Sequence, residues 1–124
     1  MELRTDKIRA CFDRKIGNFT ELWNLSTNTN YVRCAPRDPL IELYGLKNGE
    51  RVKLSGHISD VAEAPDALIL SYDSFGEYDI SAKVTCRCEQ DRLVFSAEIC
   101  NHSTIDVTEI LMPHLGGIYL GNGQ

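Results

Sequence analysis

Apolar and polar residues alternate most clearly between Ile80 and Cys100. Ile80, Ala82, Val84, Cys86 and Cys88 take turns with Ser81, Lys83, Thr85 and Arg87. A polar turn, Glu89-Gln90-Asp91-Arg92, follows, and then Leu93, Phe95, Ala97 and Ile99 alternate with Val94, Ser96, Glu98 and Cys100. A period of two is the signature of a strand with one face in the core and one toward water. The segment therefore predicts a β-hairpin in which a tight turn pairs Cys88 with Leu93 and Cys86 with Phe95. After the Asn101-His102-Ser103-Thr104 turn, Ile105 to Met112 predicts a further strand.

The same signal recurs upstream. In "IRACFDRKIGNFTELWN", residues 8 to 24, a strand breaks at Asp-Arg-Lys-Ile-Gly and a second strand resumes at Phe19. Leu40 to Leu46 predicts a strand, and Lys47-Asn48-Gly49-Glu50 a hairpin turn, since Asn-Gly tolerates positive φ. Arg51 to Leu54, His57 to Ala62 and Ala67 to Tyr72 predict short strands, with Pro65-Asp66 as a turn. Pro36 and Pro39 bracket a loop over Cys34 to Asp38. No stretch shows helical periodicity with a cap and a stop. Short strands at about ten-residue spacing, separated by Gly, Asn and Asp, predict an all-β antiparallel sandwich with at most one helical turn.

Composition narrows the class. The chain has 124 residues, the size of one domain, with 43% apolar and 25% charged residues. The net charge is −5, and its thirteen Lys and Arg are scattered, so a nucleic-acid footprint is absent. No apolar run reaches the roughly 18 residues of a membrane span, and the start lacks a signal-peptide core. These features predict neither nucleic acid nor membrane as partner. They place the protein in a bacterial cytoplasm unless a signal peptide has been removed. Five cysteines cannot all pair within one chain and are read mostly as free thiols. Three sequons, at Asn18, Asn24 and Asn101, matter only in a secreted eukaryotic protein.

Candidate chemistry is thin. Cys86 and Cys88 lie on one face of a strand while Cys100 points to the other, so a Cys-Cys-Cys-His metal site with His102 does not close. Cys34, between Arg33 and Arg37, has a lowered-pKa setting but no base in view. Gly116-Gly117 and Gly121-x-Gly123 precede no helix and read as turns rather than a phosphate cradle. The eighteen acids show no loop pairing two carboxylates with an aromatic platform. No catalytic residue, metal or cofactor is predicted. Among the aromatic residues and histidines that could face a sugar, Trp23, Tyr31, Tyr72, Tyr78, His114 and Tyr119, the choice falls on Trp23, His114 and Tyr119. Trp23 sits among Glu21, Asn24 and Asn28; the other two lie on the final loop.

Two stretches carry a family resemblance. "FDRKIGNFTELWNLSTNTNYV" has a strand ending in Phe-Asp, a Lys-x-Gly turn, a second strand, and a polar stretch ending in Asn-Tyr. In "LVFSAEICNHSTIDVTEILMPHLGGI" a strand runs into Asn, turns, and the next strand ends in an apolar-Pro-x-Leu-x-Gly turn. Together they resemble the N-terminal β-supersandwich, of the galactose-mutarotase-like type, that precedes the (β/α)8 barrel of large glycoside hydrolases. The resemblance spans about residues 8 to 118. It implies a non-catalytic accessory domain that packs on a catalytic domain C-terminal in the same parent chain and shapes its carbohydrate cleft, the parent being a glycoside hydrolase.

In such enzymes the catalytic carboxylates belong to the barrel. Mutarotases use a His, His and Glu constellation, but His57, His102 and His114 sit in no matching local motif, so no catalytic residue is carried over. Strand-like patterning continues to the last residues, which reads as the front part of a longer protein; the isolated piece is expected to self-associate. A free-standing carbohydrate-binding module and an aldose epimerase-like enzyme are the alternatives.

Overall fold

The computed structural model describes residues 2–32, 38–90 and 92–114. These residues contain eleven strands and no helix: β1 (Glu2–Arg4), β2 (Ile8–Asp13), β3 (Asn18–Asn24), β4 (Thr29–Asn30), β5 (Glu42–Lys47), β6 (Glu50–Leu54), β7 (Gly56–Ala64), β8 (Ala67–Phe75), β9 (Ile80–Glu89), β10 (Arg92–Asn101) and β11 (Asp106–Leu111). They form three sheets, ordered β1-β2-β3-β4, β10-β9-β8-β7 and β11-β5-β6, with every pairing antiparallel. The expected all-β, sandwich-like class is the one observed.

The β9–β10 hairpin has the register that the alternation predicts, with Cys88 opposite Leu93 and Cys86 opposite Phe95. Ile80, Ala82, Val84 and Cys86 are buried while Lys83 and Arg87 are exposed. Glu89 and Arg92 still pair with each other, so each strand runs one residue further into the polar stretch than expected, and Gln90 beyond them turns at φ 47°. The Asn48-Gly49 turn has positive φ at both residues, 53° and 80°, which matches the twist of the hairpin it closes. β7 and β8 are longer than their expected spans. β7 is polar along much of its length, so its apolar signal ends before its backbone pairing does.

All three sheets contribute to one core. Leu3, Ala10, Phe12 and Phe19 come from the first, Leu68, Leu70, Tyr72, Phe75, Ile80 and Val84 from the second, and Leu43 and Leu54 from the third. Phe19 is the hinge of the packing. Its ring meets Phe12 edge-on at 5.4 Å and Phe95 of the facing sheet at 6.0 Å. Four cysteines fall in the described residues: Cys86 is buried, Cys11 and Cys88 half-buried and Cys100 exposed. Burial pushes the Cys86 thiol up to about 12.

The β2–β3 turn anchors several neighbouring segments. The Asp13 carboxylate accepts the amides of Lys15 and Ile16 at 2.7 and 3.0 Å. Gly17 then turns the chain at φ 76°. A Cβ there would lie 2.6 Å from Ile58 Cδ1 and 3.1 Å from the Tyr72 hydroxyl, so glycine is required by both backbone and space. The Gly17 carbonyl accepts the Leu40 amide at 2.9 Å, which seats the segment leading into β5.

Candidate functional site

Two polar regions form near opposite ends of β3. At its C-terminal end, Trp23 stands between two depressions. One, of about 390 Å³, is lined by Lys7, Ile8, Leu22, Trp23, Asn24, Ser26, Tyr31 and Leu93. The other, of about 370 Å³, is lined by Trp23, Asn28, Thr29, Asn30 and Val32. The volumes sit near the lower end of ordinary ligand pockets. The indole is half-buried and its Nε1–H donates to Glu21 Oε1 at 3.0 Å. That bond, helped by the Cys11 thiol, holds the Glu21 carboxyl below its usual range. Asn24 Nδ2 approaches the Tyr31 hydroxyl at 3.5 Å. The site thus combines aromatic surface with amides and hydroxyls that can both donate and accept.

At the other end of β3, Asn18 is buried, and its Nδ2 donates to the Asp38 carbonyl at 2.9 Å and to the His114 carbonyl at 2.8 Å. The His114 amide donates to the Leu40 carbonyl at 2.8 Å. These bonds place the His114 imidazole beside two carboxylates. Its Nε2 lies 3.5 Å from Asp38 Oδ2 and 3.9 Å from Glu42 Oε1. Lys53 Nζ meets the same pair, 3.1 Å from Glu42 and 3.7 Å from Asp38. Glu42 is only 3% exposed and its other oxygen accepts the Tyr44 hydroxyl at 2.9 Å. A buried carboxylate needs such partners to remain charged. The hydrogen bond to Glu42 is the chief cause that raises the pKa of both Tyr44 and Lys53.

One donor atom each from Asp38, Glu42 and His114 lie within 4.8 Å of one another, a set that could hold a cation, and the Lys53 ammonium supplies positive charge there. Asp38, Glu42 and Lys53 also border a cavity of about 540 Å³, with Arg14, Lys15 and Ile16 of the β2–β3 turn, Pro39, and Leu54 to Ile58. His57 Nδ1 lies 2.8 Å from Asp73 Oδ1. That contact holds the Asp73 carboxyl below its usual range.

Of the residues chosen as facing a sugar, Trp23 lines a depression that it shares with Tyr31, a candidate not chosen. His114 belongs to the other region: Asn18 holds its carbonyl, and Trp23 is five residues along β3, about 17 Å away at ~3.3 Å per residue. Tyr119 lies outside the described residues, as does Cys34. Tyr72 stacks on Phe75 in the core, with ring centroids 5.4 Å apart, and Tyr78 packs against the same core. The sequence pattern did not disclose the cavity around Asp38, Glu42 and Lys53. One signal for it existed: Glu42 interrupts the apolar run Leu40-Ile41-x-Leu43, where an unpaired charge would be costly.

No protein family, curated protein or solved structure matches the chain.

Proposed function

We propose that the chain is a non-catalytic, carbohydrate-contacting β-sandwich domain of a glycoside hydrolase-like enzyme, set before a catalytic domain and forming one wall of its substrate cleft. The observation that carries this reading is Trp23, an indole shared by two adjacent depressions that also offer Tyr31, Asn24, Thr29 and Asn30. An aromatic face suits the apolar face of a pyranose, and the flanking amides and hydroxyls suit its hydroxyl groups. Adjacent depressions suit consecutive units of a chain. The sequence resemblance supports the parent enzyme. The exposed Leu46 and Leu111, on one face of the paired strands β5 and β11, are the surface a neighbouring domain would cover.

Trp23 is the only tryptophan, so its emission reports this site alone. Oligosaccharides of several backbone types, titrated against the isolated chain, are expected to shift that emission, with the heat of binding lost in Trp23→Ala by about tenfold or more in affinity. Weak affinity that tightens when the catalytic domain is joined fits a cleft wall; affinity undiminished in isolation fits a free-standing glycan-binding module. A panel that leaves both emission and heat unchanged would sink the carbohydrate reading.

A second reading, an aldose epimerase-like enzyme, is favoured by one feature. Glu42 and His57 border the same cavity, and His114 lies 3.9 Å from Glu42. It requires faster anomer interconversion by polarimetry, abolished in Glu42→Gln and reduced in His57→Ala; an unchanged rate removes it.

A further inference from the structure

We infer that the cavity between the β2–β3 turn, Asp38–Glu42 and the β6–β7 junction is a second binding site, selective for an acidic sugar such as a uronic acid. The inference rests on the proposed carbohydrate function and specifies the class of sugar. The cavity has the volume of a small-ligand pocket, about 540 Å³. Its polar walls are unequal in charge.

On one side stand Asp38 and Glu42, both already engaged by Lys53 and His114. On the other stand Arg14 and Lys15, neither of which forms an ion pair among the described residues. Arg14 donates one N–H, from Nη2, to the Val61 carbonyl at 3.1 Å, which leaves its other donors without a partner among the described residues. The nearby Asp13 carboxylate accepts the Lys15 and Ile16 amides on Oδ1 and is not among the residues lining the cavity. Three cationic side chains thus line the cavity against two carboxylates, in a chain whose net charge is −5.

Between these walls lie Ile16, Pro39, Leu54 and Ile58, an apolar surface for a ring face. A neutral sugar would leave the Arg14–Lys15 side unanswered. A bare anion would leave unused the apolar surface and the oxygens of the half-exposed Asp38. A pyranose carrying a carboxylate uses all three: its charge meets Arg14 and Lys15, its hydroxyls meet the half-exposed Asp38 carboxylate, and its ring covers Ile16 and Ile58. The two register shifts in the β7–β8 pairing fall between His57 and Asp60, beside the His57 and Ile58 that line this wall.

Amide chemical shifts test this in the intact chain, with galacturonate and glucuronate oligosaccharides, their neutral counterparts, and acetate as probes. The expected result is perturbation of Lys15, Ile16 and Ser55 by the uronates, with affinity at least about tenfold above the neutral sugars and above acetate. That advantage should shrink at high salt and be lost in the Arg14→Gln/Lys15→Gln double variant, whose spectrum otherwise reports the native fold. Equal binding of acetate and uronate, or of neutral and acidic sugars, overturns the inference. So does retention of the uronate preference in the double variant. If glycans shift Trp23 emission while the cavity amides stay unmoved, the second site falls and the carbohydrate reading stands. If neither responds, both fall.

Discussion

Gly17 and Tyr72 meet at a crowded point of the molecule, and each makes a distinct prediction. Gly17 holds φ 76° with no room for a methyl group beside Ile58 and Tyr72. Gly17→Ala is expected to cost about 1–3 kcal/mol, from left-handed backbone strain plus overpacking, read as a lowered urea midpoint. An unchanged midpoint would mean that the turn has an alternative geometry. The Tyr72 hydroxyl is buried and has no hydrogen-bond partner among the described residues. Tyr72→Phe removes that unsatisfied group, so it should be neutral or stabilising by up to about 1–2 kcal/mol. A loss above ~1 kcal/mol would reveal a partner for the hydroxyl.

Titration adds a sign to this. Burial pushes Tyr72 from its ordinary 10.0 up to about 12, and Cys86 from 9.0 up to about 12. The unfolded chain releases these protons at lower pH than the folded chain does. Both groups therefore favour unfolding as pH rises between about 9 and 12. Chemical denaturation across that range should show stability falling, and Tyr72→Phe should remove the part that belongs to the phenol.

Strand β3 and the segment between residues 38 and 42 illustrate how an element can be held by one side chain. Asn18 opens β3, ties off the carbonyls of Asp38 and His114, and receives the Phe19 amide on its own Oδ1 at 2.8 Å. Three separate stretches of chain converge there. Asn18→Ala leaves two part-buried carbonyls without this donor, which should cost about 2–4 kcal/mol in thermal or urea unfolding. Because those bonds also seat His114 against Asp38 and Glu42, the variant should perturb the amide signals of the β5 start more than those of the distant β9–β10 hairpin. Uniform perturbation across both would argue that Asn18 contributes only to global stability. The β9–β10 hairpin is the opposite case: its alternating faces and tight turn set its register locally, and Cys88 opposite Leu93 was legible from residues 80 to 100 without knowledge of anything they pack against.

Among the described residues, one sheet presents an open edge. β11 is an edge strand of its sheet, and Ile110 on it is 52% exposed although its cross-strand partner Leu43 is fully buried. Leu46 and Leu111 are exposed on the other face of the same strand pair. Exposed apolar side chains beside a strand edge that is unpaired among the described residues favour association with another chain or domain. The isolated chain should show concentration-dependent association in sedimentation, reduced in Ile110→Lys. Strictly monomeric behaviour at high concentration would count against a covering neighbour.

What could be read along the chain was what short-range physics dictates. Period-two alternation and the chemistry of Asn48-Gly49 and the β9–β10 tip specify strands, hairpins and their registers within about twenty residues, so the all-β class and most strand positions emerged from pattern alone. Trp23 stood out as a lone indole among polar neighbours. The order of strands across three sheets was beyond such reasoning, because it depends on which apolar faces meet, as Phe19 meets Phe95. The cavity was hidden for the same reason. Arg14, Lys15, Asp38, Glu42, Lys53 and His57 belong to separate elements and turns, and no local pattern brings them together. Burial of a shared core draws those elements into place, and the pairing of Glu42 with Lys53 and Tyr44 makes a charge tolerable where the sequence alone reads as the middle of an apolar strand.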